Sequence, residues 1–483
     1  MSLVANAFPA KSFFVTMLTR DIELADAILD LLDNCVDGII RTKWSNDDPN
    51  SVSKPYEGYK AEIELNGEFF RIKDNCGGIP REIAEKYAFV MGRKDQRDSN
   101  LPTVGMYGIG MKRALFKMGA HSKVTSQTNE ATFEVEITPD WLKSDENWEL
   151  PIVLIDKTTE DNGTTIEVSQ LYDGISSSFS NRDGFVDTFR DMVAKHYSFI
   201  INKGFSIEIN GVKVNPVPMQ LLLDIDGDRE SLSPYIYEAN IDGVSVLLEV
   251  GLYRPTPSED ELDEEQVMKR TKDDSGWTII CNDRVVLYKD KSILTGWGEA
   301  NVPSFHNQFI GISGIVIFKS NNAALLPLTT TKRGIEASSE LYLKVKNHMR
   351  IGTKLFTDYT NRWKKDPEKE RETSGRATLI NVLQVPSQIN VEKWKTISVD
   401  KSVSVEETTT ADSTKGSESR TFERYFAPKL PKPQDTNQRI QIRFTRDKNE
   451  IRRVAEHLFD DPDKSPVDVG VECFERVLRS LQS

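Results

Sequence analysis

Cysteine and histidine are scarce in this sequence, at four and five of 483 residues. Cys35, Cys76, Cys281 and Cys473 form no C-x-x-C pair and no Cys/His cluster, which argues against a structural zinc. Thiols this sparse and scattered suit a reducing compartment. Long apolar runs are missing too. No stretch reaches the roughly 20 apolar residues that a membrane-spanning helix needs, so no membrane contact is expected. The N-terminus lacks the charged-then-apolar pattern of a leader, and a cytoplasmic location is the expectation. Positive charge is also short. Lys and Arg number 62 against 75 Asp and Glu, a net charge of −13. Such a chain repels nucleic acid on average, so DNA binding would need a local basic patch or a partner. There is no G-x-x-x-x-G-K-[ST] phosphate loop and no internal repeat.

What is present reads as an ordinary soluble globular chain, with 38% hydrophobic and 28% charged residues. Its length calls for two or three domains. Residues 21–41 carry Leu24, Ala27, Ile28, Leu31 and Leu32 at helical spacing. Asn66-Gly67 between Glu62-Ile-Glu-Leu and Glu68-Phe-Phe-Arg-Ile signals a β-hairpin. Helices are expected over 81–90 and 111–118, and strands over 132–137, 152–155 and 164–168. A second unit is read from Phe205, opening with another Asn-Gly hairpin at Asn210-Gly211 and closing with a helix over 338–363. Residues 364–438 change composition, with a Ser/Thr/Glu/Lys-rich stretch at 402–419 and Lys429-Leu-Pro-Lys-Pro. They read as a partly flexible linker. A tail at 439–483 recovers a strand (Ile440, Ile442, Phe444) and two helices. The acidic run at 258–265 reads as a solvated loop.

Four constellations stand out. In Asp30-Leu-Leu-Asp33-Asn34-Cys-Val-Asp37-Gly, the polar residues fall at i, i+3, i+4 and i+7, one helix face. Taken alone, this is a solvated stripe or a site for a hydrated cation or an activated water. In Arg71-Ile-Lys-Asp74-Asn75-Cys76-Gly77-Gly78-Ile79-Pro80, a strand ends in a carboxylate and turns on two glycines. That is a routine turn, or a carboxylate accepting from a base amino group while glycine lets a flat ring approach. Gly105-Met-Tyr-Gly108-Ile-Gly110-Met-Lys112 runs into a helix N-terminus, where free N–H groups and the dipole favour phosphate. Asn162-Gly163-Thr164-Thr165-Ile-Glu-Val leads a glycine into a strand and says little by itself.

In order and separation the four resemble the GHKL superfamily: gyrase B, MutL, MORC proteins, histidine kinases and the large heat-shock chaperones with this ATPase. The local match is best to the MORC- and MutL-like branches, through G-x-G-Met-Lys and Gly-Thr-Thr-Ile-Glu-Val. The resemblance implies an α+β chain. A Bergerat-type α/β sandwich ATPase domain (1–200) precedes a transducer-like α/β domain (201–363), the linker (364–438) and a small docking module (439–483). It implies Mg²⁺ and ATP as ligands. Asn34 would hold Mg²⁺ through its side-chain carbonyl. Asp74 would read the adenine amino group with help from Thr164, and Gly78 would pack on the base. Gly105, Gly108, Gly110 and Lys112 would wrap the phosphates. The family's general base is usually Glu; here Asp30 holds that position, one methylene shorter, which puts hydrolysis in doubt. Cys76 stands where many members have a glycine.

Lys332, in Leu328-Thr-Thr-Thr-Lys332-Arg333-Gly334, matches the transducer lysine that meets the γ-phosphate. In the family this domain carries a left-handed βαβ crossover. Residues 92–102, polar and without period, are expected to form an ATP lid that orders over the triphosphate. The function implied is a slow ATPase working as a conformational switch or clamp, with an ATP-dependent homodimer. Its setting would be DNA-linked or host defence. Rival readings are a chaperone-type ATPase with protein clients and a non-hydrolysing ATP-sensing module. A histidine kinase fits poorly, because no His-bearing helix precedes the ATP motifs.

Overall fold

The computed structural model describes residues 10–43, 52–90, 101–104, 108–145, 147–181, 184–225, 231–257, 274–329, 332, 334–397, 422–433 and 445–482. Most of the expected lid (92–100), Gly105, the acidic run at 258–265 and the tail strand at 440–444 lie outside these residues. Two compact units emerge, residues 1–433 and 434–483.

The first unit holds two large mixed sheets. Helices α1 (Lys11–Arg20) and α2 (Leu24–Lys43) lead into strands β1 (Lys60–Leu65) and β2 (Phe70–Asp74). The Asn66-Gly67 hairpin forms as its sequence dictates, with Leu65 opposite Phe70 and Ile63 opposite Ile72. Helix α3 (Gly110–Met118) follows. Then come β3 (Gly119–Gln127), β4 (Thr132–Ile137), β5 (Ile152–Ile155) and β6 (Gly163–Leu171). Helices α4 (Phe185–His196) and α5 (Ser198–Asn202) precede β7 (Ser206–Ile209) and β8 (Val212–Lys213). The sheet order is β5-β4-β3-β6-β2-β1-β7-β8. The Phe205 hairpin therefore does not open a second unit. It closes the first sheet, because β7 runs parallel to β1 with Ile207 and Ile209 fully buried in the first core. Ile28, Leu32, Val36 and Ile39 of α2 pack into the same core, so one stripe of α2 is pinned to the sheet and the opposite stripe is left for the site.

The second sheet has the order β13-β12-β14-β11-β10-β17-β16. Its strands are β10 (Tyr235–Ile241), β11 (Val244–Leu252), β12 (Gly276–Cys281), β13 (Arg284–Asp290), β14 (Ile312–Lys319), β16 (Lys395–Thr396) and β17 (Phe422–Phe426). Between them in sequence, β9 (Gln220–Leu223) pairs with β15 (Thr378–Asn381). Helix α6 (Glu340–Trp363) covers the sheet through Tyr342, Val345, Met349 and Phe356. The Ser339 side chain caps it by accepting from the Tyr342 N–H at 3.1 Å. The expected linker is structured wherever it is described. β17 adds to β10, and Phe426 and Val385 are buried against Leu223 and Ile236. The Glu370 carboxylate accepts from the Thr256 hydroxyl at 2.6 Å and from the Tyr359 hydroxyl at 3.0 Å.

Glu249 is one of the buried polar groups left without a partner among the described residues. Glu249 of β11 is fully buried, and neither carboxylate oxygen has a hydrogen-bond donor among the described residues. Burial, and then nearby Glu238, push its carboxyl well above the ordinary range. Glu249→Met, similar in length and without the polar group, should raise the unfolding free energy by about 1–3 kcal/mol. Denaturant melts measure this, and a lower midpoint for the variant would show that the carboxyl has a partner.

The second unit is a helical hairpin, α7 (Lys448–Phe459) and α8 (Pro466–Gln482). No described helix is long and apolar enough to cross a membrane.

Candidate functional site

A cavity of about 690 Å³, within the range of small-molecule sites, opens between α2, the end of β2, the 76–80 turn and α3. The polar face of α2 forms one wall, and it is not a solvated stripe. Asp30, Asp33 and Asp37 are buried at 4, 1 and 0% exposure, while Asn34 is exposed and lines the cavity. Buried carboxylates must be compensated, and each of these is. Asp30 accepts from Arg113 Nη2 through one oxygen and meets Lys332 Nζ at 3.2 Å through the other. Asp33 accepts from the Tyr197 hydroxyl at 2.5 Å, from Arg284 Nε at 3.0 Å and from Lys332 Nζ at 3.0 Å. Asp37 accepts from the Val104 N–H at 2.7 Å and faces Arg41 at 3.7 Å. Burial alone would raise the Asp33 carboxyl, but Lys332 and then Arg284 bring it below the ordinary range. At Asp37 burial prevails over Arg41, and the carboxyl is raised. Among the described residues no group of three or more His, Cys, Asp or Glu is placed to hold a metal ion.

Asp74 lies at the opposite end. One of its oxygens accepts the backbone N–H groups of Cys76 at 2.7 Å and Thr164 at 3.3 Å, and the other takes the Cys35 thiol at 3.6 Å. Burial pushes this carboxyl up to about 6, against the pull of those N–H groups. The glycines here are structural requirements. Gly78 has φ +74°, and a Cβ on it would fall 2.1 Å from the Gln127 carbonyl oxygen. A Cβ on Gly163 would fall 2.0 Å from the Asp74 carbonyl oxygen. Backbone therefore packs on backbone beside Asp74, and the apolar side chains of Ile79, Ile83, Met111 and Ile166 line the space above it. The departure at Cys76 is absorbed, since its side chain turns into the core at 2% exposure and leaves the positive φ to Gly77 and Gly78.

The phosphate-loop sequence delivers Gly108 (φ +65°) and the N-terminus of α3 to the cavity wall. Lys112 is buried and donates to the carbonyls of Ala88, at 2.8 Å, and Gly108. Burial lowers its pKa to about 8. Arg113, one residue on, was not singled out by the motif. Besides its bond to Asp30, its Nε is buried with no acceptor among the described residues. Such a donor in a cavity wall suits an anion. The exposed amide of Asn34 and the acceptor face of Asp74 complete a set that fits a nucleotide triphosphate and its cation.

Lys332 reaches the site from the second sheet's side of the unit. Its loop is held by Leu328 bridging to Ile335 and by the Lys332 N–H donating to Thr329 O at 3.0 Å. Desolvation would lower this amine, but Asp33 and Asp30 hold it above the ordinary lysine range. The β12–β13 hairpin tip, unmarked in the sequence reading, makes three further ties. Asn282 Nδ2 donates to Thr103 O at 3.2 Å, at the threshold of the phosphate loop. Asp283 accepts from the Lys203 amine at 2.7 Å and the Tyr56 hydroxyl at 2.9 Å. Arg284 grips Asp33, and its guanidinium lies 4.5 Å over the Tyr197 ring.

Residues 22–165, from the approach to α2 into β6, match the family described as histidine kinase-, DNA gyrase B-, and HSP90-like ATPase. This stretch is a GHKL-type ATPase domain, and a domain of this type implies ATP binding. No curated protein is similar enough to the chain to count as a relative.

Proposed function

We propose that the cavity binds Mg-ATP and that slow hydrolysis there drives a conformational switch between the two sheets. One observation carries the reading. An acceptor for a base amino group (Asp74) and a phosphate-type wall (Asn34, Lys112, Arg113, the α3 N-terminus) line one nucleotide-sized cavity. Adenine would lie against Gly78 and donate to Asp74, with Thr164 in support. The triphosphate would extend to Gly108, Gly110 and Lys112. Mg²⁺, held by Asn34, would neutralise phosphate charge when bound. Asp30 would orient the attacking water and accept its proton as the water oxygen bonds to the γ-phosphorus and the bond to ADP breaks. Lys332 would pass from the carboxylates to the γ-phosphate, so the second sheet acts as a transducer. Closure over ATP would bring two copies together. A DNA-linked or host-defence role in the cytoplasm suits such a clamp of the MORC- and MutL-like kind.

Titration calorimetry with ATP and Mg²⁺ should give one saturable site per chain. Asp30→Asn should keep that affinity and turn over at least about tenfold more slowly. Absence of ATP binding would end the proposal.

A second reading has its own support. Both Asp30 oxygens are engaged by cations, Arg113 and Lys332, and Asp is shorter than the usual Glu. On that reading the chain senses ATP without hydrolysing it. Phosphate release by wild type no faster than a protein-free control at saturating Mg-ATP would establish it, whereas equal release above that background by wild type and Asp30→Asn would move the base elsewhere, with Asp33 the next candidate. A chaperone-type role fits the −13 net charge and would show as ATP-dependent suppression of client aggregation.

A further inference from the structure

Helix α1 is attached by a charge. Of its ten residues only Lys11 is buried. Phe13 and Met17 are 61 and 59% exposed, and Val15 and Leu18 reach the first core only in part. A helix ordinarily docks through an apolar stripe, and a lysine is almost never buried without partners. The Lys11 amine lies 3.7 Å over the Trp141 ring and 5.1 Å from the Trp148 ring. It donates to the carbonyls of Trp141 at 2.7 Å and Asn147 at 2.5 Å. The walls of this cage are fixed by their own contacts. The Trp141 indole donates to Glu149 O at 2.9 Å, and the two tryptophans meet edge to face at 6.2 Å. Ala10 gives α1 no side-chain cap, and the Lys11 N–H finds Asp145 Oδ1 at 2.7 Å instead. All of these partners come from the connection between β4 and β5.

The set selects a primary ammonium. Two carbonyls take N–H donors of the amine, and the ring faces take its charge. A side-chain amide would bring no charge, and an apolar chain would leave both carbonyls without this donor. α1 in turn backs α3. Lys117, near the end of α3, donates to Thr19 O at 3.0 Å, near the end of α1. At its start α3 lies so close to α2 that a Cβ on Gly110 would fall 3.2 Å from Asp30 Cβ. The helix whose N-terminus forms the phosphate-type wall is thus held by α2 at one end and by α1 at the other. We propose that the Trp141–Trp148 cage is a lysine-binding site whose ligand is Lys11 of the same chain, and that its occupancy makes α1 a strap that steadies the phosphate wall. The second half of this rests on ATP binding in the cavity. Coupling between two sites is reciprocal, so a docked α1 tightens ATP binding and bound ATP tightens the strap by the same factor.

The test uses the full chain. With a water-soluble acetylating reagent and mass spectrometry, Lys11 should react at least about tenfold more slowly than the exposed Lys369, and Trp148→Ala should remove most of that protection. Saturating Mg-ATP should slow Lys11 by about a further tenfold. In calorimetry, Lys11→Gln should bind ATP about tenfold more weakly than wild type, with an unchanged circular dichroism spectrum. Lys11→Cys should show the same loss and recover after treatment with 2-bromoethylamine. There the thiolate displaces bromide, and the new C–S bond rebuilds an ammonium of the same reach. The same treatment should leave Lys11→Gln weak. Lys11 acetylated as fast as Lys369 overturns the cage. Lys11→Gln binding ATP like wild type, or a folded Lys11→Cys that aminoethylation does not rescue, overturns the strap. A wild-type chain that binds no ATP ends the nucleotide reading and the coupling with it, while the acetylation rates without nucleotide still decide the cage.

Discussion

Asp74→Asn should weaken ATP binding by roughly tenfold to a hundredfold. One Asp74 oxygen is committed to the N–H groups of Cys76 and Thr164, so only the other can accept from a base. An asparagine must choose. With its amide nitrogen towards those N–H groups, donor faces donor inside the fold. With the nitrogen towards the base, donor faces the exocyclic amine. The same site sets a pH window. A proton would sit on the Asp74 oxygen left for the base, since the other accepts two N–H groups, and would turn it from acceptor to donor. The carboxyl sits near 6 in the empty protein, so affinity should fall as the pH drops through that value. Lys112 loses its charge as the pH rises through about 8, so affinity should fall again above it. For the empty protein, a carboxyl raised above its unfolded value adds most stability in acid and loses that contribution as pH rises through about 6. ATP binding near pH 6 should therefore release protons, which calorimetry in buffers of different ionisation heat detects. Affinity that is flat from pH 5 to 9, or Asp74→Asn binding like wild type, would remove Asp74 from base recognition.

Much of this site was legible because its parts are local. The Asp30–Asp37 spacing fixes one helix face, Asn66-Gly67 fixes a hairpin register, and Asp74 with Gly77 and Gly78 fixes a strand end and a turn. What escaped was set by distant partners. β3, Gly-Ala-His-Ser-Lys-Val-Thr-Ser-Gln, is a central strand. Its inward positions include Ser122 and Ser126, too small and polar to give an apolar alternation. The Phe205 hairpin was recognised but attached to the wrong sheet, because its parallel pairing with β1 has no local signature. The described parts of the expected linker were misread because the Ser/Thr-rich run at 402–419 coloured its flanks, where Val385 and Phe426 are core residues. Arg284 carried no mark in the sequence. Nothing within ten residues of it points to Asp33, 251 positions away.

Lys332→Met should lower the stability of the nucleotide-free protein by about 3–5 kcal/mol, the range for breaking a buried ion pair from one side. The lysine is buried at 8% exposure, with Asp33 at 3.0 Å and Asp30 at 3.2 Å. Removing it leaves three buried carboxylates, Asp30, Asp33 and Asp37, facing two enclosed cations, Arg113 and Arg284, with Arg41 largely in solvent. The sign with pH follows from the shifts. Lys332 is held above the ordinary lysine range, so its contribution is complete at neutral pH and is lost only in strong alkali. Asp33 is held below the ordinary carboxylate range, so its contribution is present above about pH 4 and is lost in acid. The deficit should therefore be full at pH 7 and shrink as the solution is acidified and the carboxylates take up protons. Adding Asp33→Asn to Lys332→Met restores the balance of two enclosed cations against Asp30 and Asp37, and the double variant should recover part of the loss. A single variant as stable as wild type, or a double variant no better than the single, would show that the cluster does not join the ATPase domain to the second sheet. The outcome bears on the switch because Lys332 must leave these carboxylates to meet a γ-phosphate. A ligand moves this equilibrium only by binding one arrangement more tightly than the other. In the variant that competition is gone, so saturating Mg-ATP should protect the Leu328–Ile335 segment from hydrogen exchange in wild type and leave it unchanged in Lys332→Met.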